Sequence, residues 1–277
     1  MVGMRELQAE IIEELGVMPE IIPTQEITRR VGFLKDYLAA TRAKGFVLGI
    51  SGGIDSTLAG RLAQLAVQEI REAGGEARFI AVRLPHGVQS DADDAMKAMA
   101  FVAADEEFEV NIEKPVSALD VALDDAGHPR LTDFNRGNAK ARMRMIVQYA
   151  LAGDRRFLVL GTDHAAESVT GFFTKFGDGG ADLLPLAGLN KRQNQALLRQ
   201  LDAPELLWAK EPTADLLGGQ PLRSDEDELG LTYANIDDYL EGREVDSAVA
   251  EVIESRFLGS RHKRAVPATY RDTWWQS

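Results

Sequence analysis

"FVLGI", residues 46–50, is a short unbroken apolar run that stops at Ser51, Gly52 and Gly53, after which Leu58, Leu62, Leu65 and Ile70 fall at helical spacing. Five apolar residues are enough for a buried strand and too few for a helix, so the order reads as strand, glycine turn, helix. Gly74 and Gly75 then stop the helix. The unit recurs along the chain. "RFIAVRL" (78–84) and "FEVNI" (108–112) are further strand candidates on either side of a helix expected over 91–103. "FLVLG" (157–161) lies between helices expected over 137–153 and 162–173. Ile27, Val31, Leu34 and Leu38 predict one more helix within 26–42. Strands that are apolar throughout and alternate with amphipathic helices predict an α/β fold, a doubly wound parallel sheet covered on both faces. Such sheets bind ligands beyond the C-terminal ends of their strands, so the loops after residues 50, 83 and 161 are expected to surround a site.

No Pro/Gly/Ser-rich linker divides the 277 residues, and a single domain over 1–277 is expected. The 31 basic and 44 acidic residues leave a net charge of -13, which opposes binding to a nucleic-acid backbone. The chain has no cysteine, so disulfides, thiolate metal sites and cysteine nucleophiles are excluded together. The N-terminal "MVGMRELQAEIIEELGV" is charged and amphipathic, unlike a signal peptide. No apolar run reaches the roughly 18 residues that a membrane span requires. A cytoplasmic protein with neither membrane nor nucleic-acid partners is expected.

Gly52 and Gly53 allow backbone N–H groups to face an anion, and a helix starting near Ser56 adds its positive end. The spacing fits neither G-x-x-x-x-G-K-[ST] nor G-x-G-x-x-G, and the loop carries no lysine. Asp55 would repel a phosphate unless a divalent cation lay between them. Mg²⁺ binds few protein carboxylates together with phosphate oxygens, and so answers that difficulty. A capped strand-to-helix turn without a ligand uses the same residue types. Glu167 falls three residues after His164 and four after Asp163, on one face of the expected helix, as a second metal carboxylate or as an ordinary acidic helix start. The four histidines show no zinc-ligand spacing.

Ser51, Gly52, Gly53, Asp55 and Ser56 resemble the pyrophosphate loop of the N-type ATP pyrophosphatases. "RLPHG", "LTDFNRGNAKARMRM", "VLGTDHAAESVTGFFTKFGDGGADLLPLAGLNKRQ", "KEPTADL", "DELG", "IDDYLEG" and "HKR" extend the resemblance to ammonia-dependent NAD synthetases, in that family's order and over nearly the whole chain. Ile54 departs from the Gln that many bacterial members carry there.

The resemblance implies an adenine-nucleotide-hydrolase-like fold and ATP-dependent amidation of deamido-NAD through an acyl adenylate, with AMP and pyrophosphate released. It implies ATP contacts from Gly49, Ile50, Ser51, Gly52, Gly53, Ile54, Asp55, Ser56, Thr162, Lys191 and Thr213. It assigns Mg²⁺ to Asp55 and Glu167, and deamido-NAD to Asn138, Arg142, Lys175, Asp182, His262 and Lys263. Asp178 matches an acid near the ammonia site, and residues 209–230 match a lid over ATP. A homodimer involving the helix of Arg142 is implied as well. Family members that use glutamine carry an extra amidase domain with a nucleophilic cysteine; neither is seen here, so free ammonia is the expected nitrogen source. A GMP synthetase module, a tRNA-thiolating enzyme and a non-catalytic adenine-nucleotide sensor share the loop. "TGFFTKFGDGGAD" opposes the first, charge and the absence of cysteine oppose the second, and a sensor has no need of the substrate blocks.

Overall fold

The computed structural model describes residues 5–88, 92–209, 225–265 and 267–275. Among these, β1 (Gly45–Gly49), β2 (Arg78–Arg83), β3 (Glu106–Glu109) and β4 (Leu158–Val159) form a parallel sheet in the order β3-β2-β1-β4. The helices are α1 (Glu6–Leu15), α2 (Pro23–Thr41), α3 (Ile54–Glu72), α4 (Ala92–Val102), α5 (Glu113–Asp125), α6 (Asp133–Arg155) and α7 (Ala165–Thr170). They continue with α8 (Lys191–Gln200), α9 (Glu205–Trp208), α10 (Asp225–Leu229), α11 (Tyr233–Leu240), α12 (Ser247–Gly259) and α13 (Arg261–Arg264). None of them is long and apolar enough to cross a membrane.

Successive strand side chains point to opposite faces, so a sheet covered on both sides needs apolar residues at every position. Phe46, Leu48, Phe79 and Ala81 pack on one face with Val31, Leu34 and Leu38 of α2, Leu58 and Leu62 of α3, and Leu197 of α8. Val47, Ile80, Val82 and Val159 face the other way, against Val116 of α5 and Ala152 of α6. A third cluster joins α1, α7, α11 and α12 through Ile11, Val169, Ile236, Tyr239, Ile253 and Phe257. From β1 the chain passes outward to β2 on one side, while β4 lies on the other. That is the switch point at which ligands of open α/β sheets bind.

Three expected elements differ from those observed. The third strand covers Glu106–Glu109, not 108–112. Its glutamates suit an edge strand, whereas the apolar Ile112 is buried where α5 begins. β4 keeps two residues of the expected five, because the Asp182 and Leu183 N–H groups turn to the Val159 carbonyl and Leu160 bridges Leu183. The helix expected over 162–173 shortens to Ala165–Thr170, with His164 extended before it and Gly171 left-handed (φ 64°) after it.

Gly45 opens β1 so close to β2 that an added Cβ would lie 2.0 Å from the Arg78 carbonyl oxygen. Gly45→Ala is expected to cost on the order of 3 kcal/mol in urea unfolding. Gly32→Ala, inside α2 with nothing near its Cβ, should gain on the order of 0.5 kcal/mol. Equal midpoints for the two variants would contradict this account of the sheet.

Candidate active site

A cavity of about 680 Å³ opens over the C-terminal ends of β1, β2 and β4, lined by Gly49, Ile50 and Ser51, by Arg83 and Leu84, and by Leu160, Gly161 and Thr162. The three loops expected to meet do so, around a volume suited to a small molecule. Gly52 takes φ 88°, and a Cβ there would meet the Ala95 backbone nitrogen at 2.8 Å. Both facts demand glycine. Gly53 caps α3, which begins at Ile54 rather than at Ser56, so Asp55 and Ser56 stand in its first turn. The turn closes on hydroxyl groups: the Ser51 N–H donates to Ser56 Oγ at 3.2 Å, and the Gly53 N–H to Ser51 Oγ at 3.2 Å. Gly53, Ile54, Asp55 and Ser56 all line the cavity; Gly52 does not.

The lysine missing from the loop arrives from elsewhere. Lys191 Nζ, at the start of α8, donates to Asp55 Oδ2 at 2.7 Å across 136 residues of sequence. Asn194, one turn further along α8, donates to Asp55 Oδ1 at 2.9 Å. His164 Nε2 lies 3.5 Å from Asp55 Oδ1 and 3.7 Å from Glu167 Oε1. The His164 ring is fully buried and neither of its nitrogens has a hydrogen-bond partner. Ligating atoms of Asp55, His164 and Glu167 all fall within 4.8 Å of one another. His164 caps α7 instead of lying within it, so it meets Glu167 from an extended segment and not across a helix face.

Burial dominates the protonation of these groups. It raises the Asp55 carboxyl, but the Lys191 ammonium outweighs it and holds Asp55 below the usual carboxylate range. Burial and then the Asp55 charge push Glu167 well up. Asp163 rises to about 7 through burial and the neighbouring Asp178 and Asp55. Asp178 is raised by burial, against its bond from the Thr174 N–H and the charge of Lys263. His164 is kept neutral by the same desolvation. Carboxyl groups thus outnumber the cations that face them. Two carboxylates with an unpartnered imidazole beside them form a donor set that fits a divalent cation.

The other predicted residues divide between those that line the cavity and those that do not. Asn138 and Lys263 line the cavity: Thr174 Oγ1 donates to Asn138 Oδ1 at 2.7 Å, and Lys263 Nζ donates to the Gly171 and Phe173 carbonyls at 2.8 and 2.9 Å. Thr162, Glu167, Asp178 and Lys191 line it too. Arg142, Lys175, His262 and Asp182 lie outside that lining. Arg142 Nη2 donates to the Lys175 carbonyl at 3.3 Å, and Lys175 Nζ to the His262 carbonyl. Asp182 accepts from the Val159 N–H at 2.7 Å and from the Tyr149 hydroxyl at 3.3 Å, and burial together with that carboxylate pushes the phenol up to about 12. Thr213 falls outside the described residues, as does most of 209–230.

Sequence reasoning missed Asn194, Thr174 and Gln148, whose Oε1 accepts from the Gly49 N–H at 2.7 Å. Asn194 was reachable, since it follows Lys191 by three residues on a helix and so shares its face. Gln148 carries no such signal: only the tertiary placement of α6 brings it to β1.

The family model described as NAD synthase matches residues 26–267. The chain belongs to the NAD synthase family. Among NAD synthase relatives it is 62% identical to an NH(3)-dependent NAD(+) synthetase of Bacillus licheniformis, over 98% of this chain and 99% of that one. A crystal structure of NAD+ synthetase from Burkholderia pseudomallei superposes with a TM-score of 0.81 at 51% identity, covering 94% of this chain and 96% of that one. The structure of an NMN synthetase from Francisella tularensis gives 0.79 at 36% identity, covering 91% and 100%.

Between about pH 4 and pH 7 the folded chain keeps a proton on Asp163 that the unfolded chain has released, so this carboxyl lowers stability as the pH rises through that window. Without added metal, Asp163→Asn should match the unsubstituted protein near pH 4 and exceed it by on the order of 3 kcal/mol at pH 8 in urea melts. A difference independent of pH would contradict the protonated Asp163.

Proposed function

We propose that this chain is an ammonia-dependent NAD synthetase, a ligase that amidates deamido-NAD at the expense of ATP. The observation that carries this reading is the meeting of the glycine turn, Lys191 and the Asp55–Glu167 carboxylate pair in one cavity at the sheet's switch point. Near-complete coverage of an ammonia-dependent relative in both directions supports it.

In this reading the nicotinate carboxylate attacks the ATP α-phosphorus and pyrophosphate leaves, giving an acyl adenylate. Ammonia then attacks the acyl carbon, AMP leaves, and the amide loses a proton. The adenylation is needed because a carboxylate is a poor acyl donor. Gly49 to Ser56 and Thr162 seat the nucleotide, with backbone N–H groups and the start of α3 directed at phosphate oxygens. Lys191 turns its ammonium from Asp55 toward the triphosphate, and Thr213 is taken as a further ATP contact. Asp55 and Glu167 are the residues that would hold Mg²⁺, which supplies charge neutralisation on the leaving pyrophosphate when bound. Asp178, raised by burial, holds the incoming nitrogen as ammonium and accepts its proton.

Asn138 and Lys263, which line the cavity, and Arg142, Lys175 and His262, which do not, take deamido-NAD; a dinucleotide that reaches Asp182 displaces the Tyr149 hydroxyl. Arg142 suits a substrate carrying its own pyrophosphate, since a planar guanidinium binds such oxygens in pairs. The reading also takes residues 1–277 as one catalytic domain and the active form as a cytoplasmic homodimer. The exposed Phe134 and Ile146 of α6 are apolar surface that a dimer through that helix would cover.

Purified protein given ATP, Mg²⁺, ammonium and deamido-NAD is expected to yield NAD, AMP and pyrophosphate in equal amounts by mass spectrometry. Replacing ammonium by glutamine should abolish the product. Release of ADP and phosphate, or unchanged ATP, would sink the proposal; faster turnover of the acid form of NMN would move it to an NMN synthetase.

A further inference from the structure

"IDDYLEG" (236–242) has no part in the chemistry above, yet α11, where most of it lies, meets the start of α8. Tyr233, Asp237 and Glu241 follow one another at four-residue intervals and so form one stripe. The Tyr233 ring centre lies 4.9 Å from Lys191 Nζ. The Asp237 carboxylate accepts the backbone N–H groups of Lys191 at 3.1 Å and Arg192 at 2.8 Å. Glu241 accepts from Asn190 Nδ2 at 2.8 Å and from Arg192 Nη1 at 2.8 Å.

Helix α8 does not need this help in order to start. It has its own capping box, in which the Gln193 N–H donates to Asn190 Oδ1 at 2.8 Å and the Asn190 N–H to Gln193 Oε1 at 3.1 Å. A second set of acceptors from a distant helix fixes instead where the helix begins and how it is turned about its axis. That phase decides where the first side chain points. Lys191 is that side chain, and it is a cation at the positive end of a helix, where the dipole disfavours it. The Tyr233 ring and the Asp237 carboxylate offset this.

We propose that Tyr233 and Asp237 are positioning residues that hold Lys191 in the orientation in which its ammonium meets Asp55 and, in turn, the nucleotide triphosphate. This rests on the reading of Lys191 as an ATP contact. The pair acts from both ends of the lysine, one on its backbone and the other on its ammonium.

Calorimetric titration with ATP and Mg²⁺, in the absence of deamido-NAD, tests the proposal without requiring turnover. Asp237→Asn is expected to weaken ATP binding on the order of tenfold. In a Lys191→Met background the same substitution should change affinity less than about twofold, because the lysine it positions is gone. Tyr233→Leu should weaken binding to a similar degree, and Tyr233→Phe, which keeps the ring, should restore it. In turnover, KM for ATP should rise while KM for deamido-NAD stays. Equal effects of Asp237→Asn in both backgrounds, or unchanged affinity, would overturn the proposal. Should Asp237→Asn fail to fold, the Tyr233 variants decide: weak binding with Leu and normal binding with Phe support it, and equal affinities overturn it. If ATP binds and the cycle couples but no NAD forms, the positioning stands and the proposed reaction falls. If the unsubstituted protein binds no ATP, the positioning proposal falls with the reading of Lys191.

Discussion

The Asp55 carboxylate, with its side chain only 14% exposed, is kept ionised by an ammonium from the far side of the sequence. The remainder of the site follows from that pairing. Removing one partner of a buried ion pair leaves an uncompensated charge, at about 3–5 kcal/mol. The fold therefore has to bring α3 and α8 together at their N-terminal ends, and the shared apolar face of β1 and β2 does so through Leu58, Leu62 and Leu197. The ammonium offsets only one carboxylate. Glu167, Asp163 and Asp178 rise toward protonation around it, chiefly because they are buried, and for Glu167 and Asp163 also because other carboxylates stand near. Binding a divalent cation with a polyphosphate relieves both imbalances, since the cation takes the carboxylates and the phosphates take the lysine and the helix end.

The glycine turn serves this arrangement by shape. Gly52 lets α4 approach within van der Waals distance of the loop, and the serines on either side bind each other's groups, so the backbone is formed before any ligand arrives. The third apolar cluster sets a further boundary. It carries α7 with Glu167 on one side and α11 with Tyr233 and Asp237 on the other, so the proposed cation site and the proposed grip on Lys191 share one packed layer.

The sheet and its cavity were legible wherever one residue type had a single explanation. Phe46 to Leu48 had to be a doubly covered strand, and Gly52 had to be a close turn. Glu106 and Glu107 hid the third strand, because an edge position tolerates charge and so erases the apolar signal. The short α7 escaped because Thr162, Asp163 and His164 are compatible with a helix start, and only packing keeps them out of the helix. Charge and spacing singled out Asp55 and Glu167 but left Glu167 equally an acidic helix start; only the resemblance assigned both to Mg²⁺, and the geometry that brings them together runs through His164 as a cap. What the pattern could not give was contact between distant segments. Asn194, Gln148 and the stripe of α11 owe their places to tertiary packing, and Asp182, read as a ligand contact, already braces Val159 and Tyr149.

On the proposed reading, the Asp55 charge makes the nucleotide site dependent on a divalent cation. The direct measurement is the affinity for ATP with and without Mg²⁺, in the unsubstituted protein and in Asp55→Asn, which keeps the shape and removes the charge. Mg²⁺ should tighten ATP binding strongly in the first and have little effect in the second. An equal gain from Mg²⁺ in both proteins would contradict it.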